Sequence, residues 1–84
     1  MYKIVFKKTA GKDLERLPNS ISERITLKIY ALQKEPRPQG VKKLAGSENL
    51  YRIRIGDYRV IYSIFENVLI IEIIRIGHRK DVYK

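Results

Sequence analysis

The chain has 84 residues, no cysteine, 44% hydrophobic and 32% charged residues, and a formal net charge of +9. That length holds one domain with a thin core, the balance excludes a disordered chain, and the missing cysteines exclude disulfides and thiolate metal sites and suit a reducing cytoplasm. No apolar run approaches the length of a membrane span and charges interrupt the N-terminal "MYKIVFKKTA", so we expect neither signal peptide nor anchor, and a polyanion or acidic protein as partner.

In chain order, "YKIVF" alternates, with Tyr2, Ile4 and Phe6 on one face, and predicts a first strand. From Thr9, as cap, a short helix follows with Ala10, Leu14 and Leu17 at helical spacing, ended by Pro18. "SISE" at residues 20–23 has the form of a capping box and opens a longer helix with Ile21, Ile25, Ile29 and Leu32 on one side. The two helices are expected to form an antiparallel hairpin. "EPRPQG" ends the second helix, because prolines remove donors and push their predecessors out of helical geometry, and a connecting loop runs to about Asn49. Three strands then follow at hairpin spacing, residues 50–55, 57–65 and 68 to about 77, with turns at Gly56-Asp57 and Glu66-Asn67. The last, "VLIIEIIRIG", is so continuously β-branched that it predicts a central strand. The expected fold is α+β in the order β-α-α-β-β-β, a helical hairpin packed on an antiparallel sheet with a three-stranded C-terminal meander, in a single domain over residues 1–84.

Up to residue 34 the bases are mostly lysine; beyond it arginine dominates, at Arg37, Arg52, Arg54, Arg59, Arg75 and Arg79. Arginine's planar fork suits bidentate binding of phosphate. In "YRIRIGDYRVIY" a two-residue turn pairs Ile55 with Tyr58 and Arg54 with Arg59. Tyr51, Ile53, Ile55, Tyr58, Val60 and Tyr62 then share an apolar face, and Arg52, Arg54, Arg59 and Ile61 the other. Two guanidinium groups directly opposite repel, and Asp57 in the turn is the one acid beside them on these strands. A solvated face accounts for any single arginine; a cluster held at such a local cost points to an anionic ligand. Gly77, His78, Arg79 and Tyr83 follow the strand expected to return beside Arg59, which places His78 and Arg79 near the same end. His78 is the single histidine, and in itself serves equally as a solvated strand end or a proton carrier. Tyr83 can pack on the helices or stack on a base. Lys42 and Lys43, in the loop, are solvated lysines or an extension of the electrostatic track. Nothing in the spacing suggests a metal or another cofactor.

"KDLERLP", "EPRPQGVKKLAG", "YRIRIGDYRVIY" and "IGHRKDVY", in this order and spacing, resemble the RelE/ParE superfamily of bacterial toxins, on its RelE side, over nearly the whole chain. The resemblance implies a fold like the small microbial ribonucleases. It also implies a ribosome-dependent endoribonuclease that cuts messenger RNA and is held inactive by a co-expressed acidic antitoxin in a hetero-oligomer. Carried over, the family's basic pair falls on Arg52 and Arg54, its transition-state arginine on Arg59, its tail arginine on Arg79 and its terminal tyrosine on Tyr83. In the best-known members that pair is lysine. Arginine stays protonated and makes a poor general base, so His78 becomes the leading candidate for that role. Two other readings compete: a ParE-type inhibitor of DNA gyrase, and a non-catalytic nucleic-acid binder or decayed toxin.

Overall fold

The computed structural model describes residues 1–80. The first strand, β1 (Lys3–Phe6), leads into helix α1 (Lys8–Glu15) and then α2 (Asn19–Ala31). A two-residue strand β2 (Lys42–Lys43) precedes β3 (Leu50–Ile55), β4 (Tyr58–Phe65) and β5 (Ile70–His78). The five strands form one sheet in the order β1-β5-β4-β3-β2. The meander β3-β4-β5 is antiparallel as expected, with Arg54 opposite Arg59 and Ile55 opposite Tyr58. Gly56 sits at φ +61, the left-handed residue that a tight primed hairpin turn requires at its first position.

Three details depart from the expected architecture. The sheet is mixed, because β1 pairs parallel with β5 and so makes β5 an interior strand. The connection after α2 contains β2, whose Lys42 and Lys43 pair with Arg52 and Tyr51. Two lysines carry no strand pattern by themselves; it is the exposed edge of β3 that recruits them. Neither helix has the expected cap: the flanking residues are Lys7 and Pro18, and neither end has a side-chain cap hydrogen bond. Pro18 presets the backbone for the turn that follows, and Asn19 and Ser20 fall inside the helix.

Thr9 has another task. Beyond Phe6 the chain leaves the sheet while β5 continues, so the edge of β5 would expose its polar backbone. The Lys7 amide donates to the Ile73 carbonyl at 2.8 Å, and the Thr9 hydroxyl donates to the Ile74 carbonyl at 2.9 Å. Asp13 Oδ2 accepts from the Ile76 amide and from Arg75 Nε, each at 2.9 Å. The first turns of α1 thereby complete the ladder that β1 abandons.

One face of the sheet is the core. Ile25 and Ile29 of α2, Leu32 just after it and Ala10 of α1 bury against Val60, Tyr62, Ile71, Ile73 and Ile76. On β5 the buried positions step from Ile71 to Ile73 and then by three to Ile76. The cause is a bulge: Ile61 pairs with Arg75 but Tyr62 with Ile73, leaving Ile74 as the extra residue. A bulge shifts the alternation of its strand by one, so every residue after it changes face.

Candidate active site

The face of the sheet turned away from α2 carries the cations. In the row nearest the β3–β4 turn, Arg54 lies opposite Arg59 and Arg59 opposite Gly77. In the next row Lys42 lies opposite Arg52, Arg52 opposite Ile61, and Ile61 opposite Arg75. Cross-strand partners share a face, so Lys42, Arg52, Arg54 and Arg59 form one basic surface with Ile61 between them and a glycine beside Arg59. The opposite face is committed to the core, which forbids any register that would turn these arginines inward. Arg54 is exposed and its Nε donates to the Gly56 carbonyl at 2.9 Å, which holds the guanidinium at the turn. Arg52 and Arg59 are half-buried. Arg75, at the edge of the second row, is engaged by Asp13.

Other expected members separate. Lys43 pairs with Tyr51, a core residue, so alternation places it on the face opposite Lys42; only one of the two loop lysines joins the basic surface. His78 pairs with Tyr58, and their rings meet edge-on with centroids 5.6 Å apart. Tyr58 belongs to the apolar face with Val60 and Tyr62, so His78 lies at the expected end of the sheet but on the other side from Arg59. The bulge at Ile74 is the reason. Arg79 reaches the same end: its amide donates to the Asp57 carbonyl at 2.9 Å. Tyr83 lies outside the described residues. Among the described residues no cluster of three or more His, Asp or Glu side chains could hold a metal ion.

Arg37 belongs elsewhere. Its Nε donates to the Tyr51 hydroxyl at 3.1 Å, its guanidinium lies 5.1 Å from the centroid of that ring, and it pairs with Glu66. The Tyr51 hydroxyl, then Glu66, raises its pKa further above the ordinary arginine value. Beside it Tyr62 is fully buried, stacks on Tyr51 at 6.0 Å and donates its hydroxyl to the Pro36 carbonyl at 2.7 Å. Burial pushes the Tyr62 phenol well above its usual range. This network pins the proline-rich segment to the sheet and accounts for one of the arginines beyond residue 34 without any ligand.

Sequence reasoning passed over Asp13, since an acid on an exposed-looking helix turn gives no sign of a backbone amide 63 residues away. It also passed over Arg24. A Cβ built on Gly56 would meet the Arg24 guanidinium at 3.5 Å, so this α2 side chain rests against the same turn as Arg54.

Comparison with known proteins brings the fold and the sequence to the same place. Residues 4–83 match the family model of the ParE toxin of the type II toxin–antitoxin system parDE. The chain is 36% identical to the toxin RelE3 of Methanocaldococcus jannaschii, over 96% of this chain and 94% of that one. It is 33% identical to the toxin RelE of Mycobacterium tuberculosis, over 99% and 87% of the two chains. Among solved structures, it superposes on the archaeal RelE–RelB complex from Pyrococcus horikoshii with a TM-score of 0.83 and 35% identity, covering 96% of this chain and 98% of that one.

Proposed function

Because this chain belongs to the RelE/ParE superfamily of type II toxin–antitoxin toxins, we propose that it is an endoribonuclease that cuts messenger RNA on the ribosome and so arrests translation. That it is a toxin of a RelBE-type system follows from its relatives, and the RelE–RelB complexes among them support a cognate antitoxin as its partner. The cleavage chemistry is our reading of the site. The observation that carries it is the pairing of Arg54 with Arg59 on the outward face of the hairpin, with Arg52 one row away.

In the proposed reaction a ribose 2′-hydroxyl attacks the adjacent phosphate. The 2′-oxygen forms a bond to phosphorus, the bond to the 5′-oxygen breaks, and the products are a 2′,3′-cyclic phosphate and a free 5′-hydroxyl. The phosphorane gains negative charge on the way, and guanidinium groups already in place stabilise it without reorganisation. Arg54 and Arg59 take that role, Arg52 orients the flanking phosphate, and Arg79 approaches from the tail. Lys42 extends the surface along the strand. With His78 held on the opposite face, Tyr83 is the proton donor of this reading: its hydroxyl protonates the departing 5′-oxygen, the 2′-hydroxyl gives its proton to solvent, and solvent restores the phenol. An 84-residue chain has little room for a full RNA-recognition surface, which fits presentation of the message by the ribosome and action in the cytoplasm.

The test is a translating extract with messenger RNA ends mapped by primer extension. New ends inside codons of translated message are expected; intact message in a growth-arresting protein removes the nuclease reading. The matching family model bears the name of ParE, so the same extract is examined for stalled gyrase complexes, whose appearance with intact message would establish the gyrase reading instead.

A further inference from the structure

A cleft of about 890 Å³ opens on the helix side of the β3–β4 turn, between α2 and the edge of β3. Its floor is apolar, with Ile25 of α2 and Ile53, Ile55 and Tyr58 of the hairpin. Two cations stand along it, Arg24 and Lys28 from α2, and Arg54 of the outward face borders it at the turn; Glu35 and Asp57 are the carboxylates that also line it. Arg24 and Lys28 are four residues apart, so both project from one face of the helix. Arg24 is exposed and, among the described residues, makes no ion pair. Its guanidinium lies against Gly56, whose carbonyl oxygen accepts the Arg54 Nε–H at 2.9 Å.

Two guanidinium groups thus approach one glycine from the two sides of the sheet. The turn is narrow there because residue 56 has no side chain, and its positive φ reserves the position for glycine. The basic surface therefore does not stop at the end of the hairpin but continues round it. We propose that Arg24 and Lys28 are further substrate-contacting residues: the phosphate track of the arginine face passes over the Gly56-Asp57 turn into the α2–β3 cleft, where it holds the strand of single-stranded RNA flanking the reacting phosphate. This deepens the reading of the arginine face as a nucleic-acid surface and rests on it. The cleft is within the size that takes a small molecule or a nucleotide, and its tyrosine edge and aliphatic floor suit an unstacked base beside a backbone that follows the cations.

The phosphates make the inference measurable. Binding of a fluorescein-labelled single-stranded RNA 12-mer is followed by anisotropy over a series of salt concentrations, and each lost phosphate contact lowers the slope of log K against log salt by about 0.7. The Arg24→Ala, Lys28→Ala double variant is expected to lose roughly twice that, about 1.4 in slope, with an unchanged thermal midpoint. Arg24→Lys retains the charge and should retain the wild-type slope. Lys3→Ala, at the opposite end of the sheet and on its far edge, is the control and should not reproduce the loss. A double variant with the wild-type slope overturns the proposal and leaves the arginine face standing. A wild-type protein whose RNA binding shows no dependence on salt overturns both. Unchanged RNA binding together with lost binding of a labelled acidic, leucine-rich peptide would assign the cleft to a protein partner and overturn the proposal as well.

Discussion

Arg54 faces Arg59 across a tight hairpin, so that two positive charges share the outward face and attract negative charge to it. In the proposed toxin the transition state supplies the negative charge, so these side chains matter far more to turnover than to folding. Arg59→Ala is expected to reduce message cleavage on the order of 10²-fold or more, the usual scale for losing a preorganised charge-stabilising donor, while circular dichroism stays that of the folded protein. Full cleavage by a folded variant would remove Arg59 from the site. The proton chemistry separates His78 from Tyr83. Since His78 spends its ring on Tyr58, His78→Gln should keep most of the cleavage and its pH profile, whereas Tyr83→Phe should lose it. Cleavage lost in His78→Gln and kept in Tyr83→Phe would reverse that assignment.

At the scale of elements, α1 is held to β5 by side chains that substitute for a missing strand. Asp13 satisfies a backbone amide and a guanidinium at once, and its carboxylate is mostly shielded from water. Asp13→Ala strands the Ile76 amide, and thermal melting should show a loss of about 1–3 kcal/mol. The loss should be accompanied by faster amide exchange at Ile76 than at Ile71, which a loss of helix propensity alone would not produce. On the neighbouring strand β4, Tyr62 ties the Pro36 carbonyl to the core. Its phenol ionises at higher pH folded than unfolded, so the unfolded chain loses its proton first and stability falls as pH rises above about 10. Tyr62→Phe should be less stable at neutral pH but should lose less on going to alkaline pH. Equal alkaline slopes in denaturant titrations would refute the assignment.

For the whole molecule the dominant physical quantity is the charge of +9, spread so that the basic surface covers one end of the sheet. Charge of that size steers oppositely charged partners and gains affinity by releasing counterions. Association with an acidic cognate antitoxin should therefore be fast at low salt and slow by tenfold or more between about 50 and 300 mM salt, with the dissociation rate much less affected. Stopped-flow mixing measures both constants; a salt-independent association rate would mean that the arginine face is not what the antitoxin meets first.

From the chain alone the hairpin was fully legible. "YRIRIGDYRVIY" contains its own turn, its register and its two faces, because a two-residue turn sets the pairing and the apolar alternation sets which side is buried. The β-α-α-β-β-β order and the buried stripe of α2 followed from local periodicity in the same way. The tertiary structure decided what depends on residues far apart in sequence. It recruited Lys42 and Lys43 to an edge, gave Thr9 and Asp13 to the backbone of β5, and brought Arg24 to the turn. Above all, it placed a bulge at Ile74. No residue there announces one; the packing of Ile71, Ile73 and Ile76 against the helices selects it, and that single extra residue moves His78 from the face of the arginines to the face of the core.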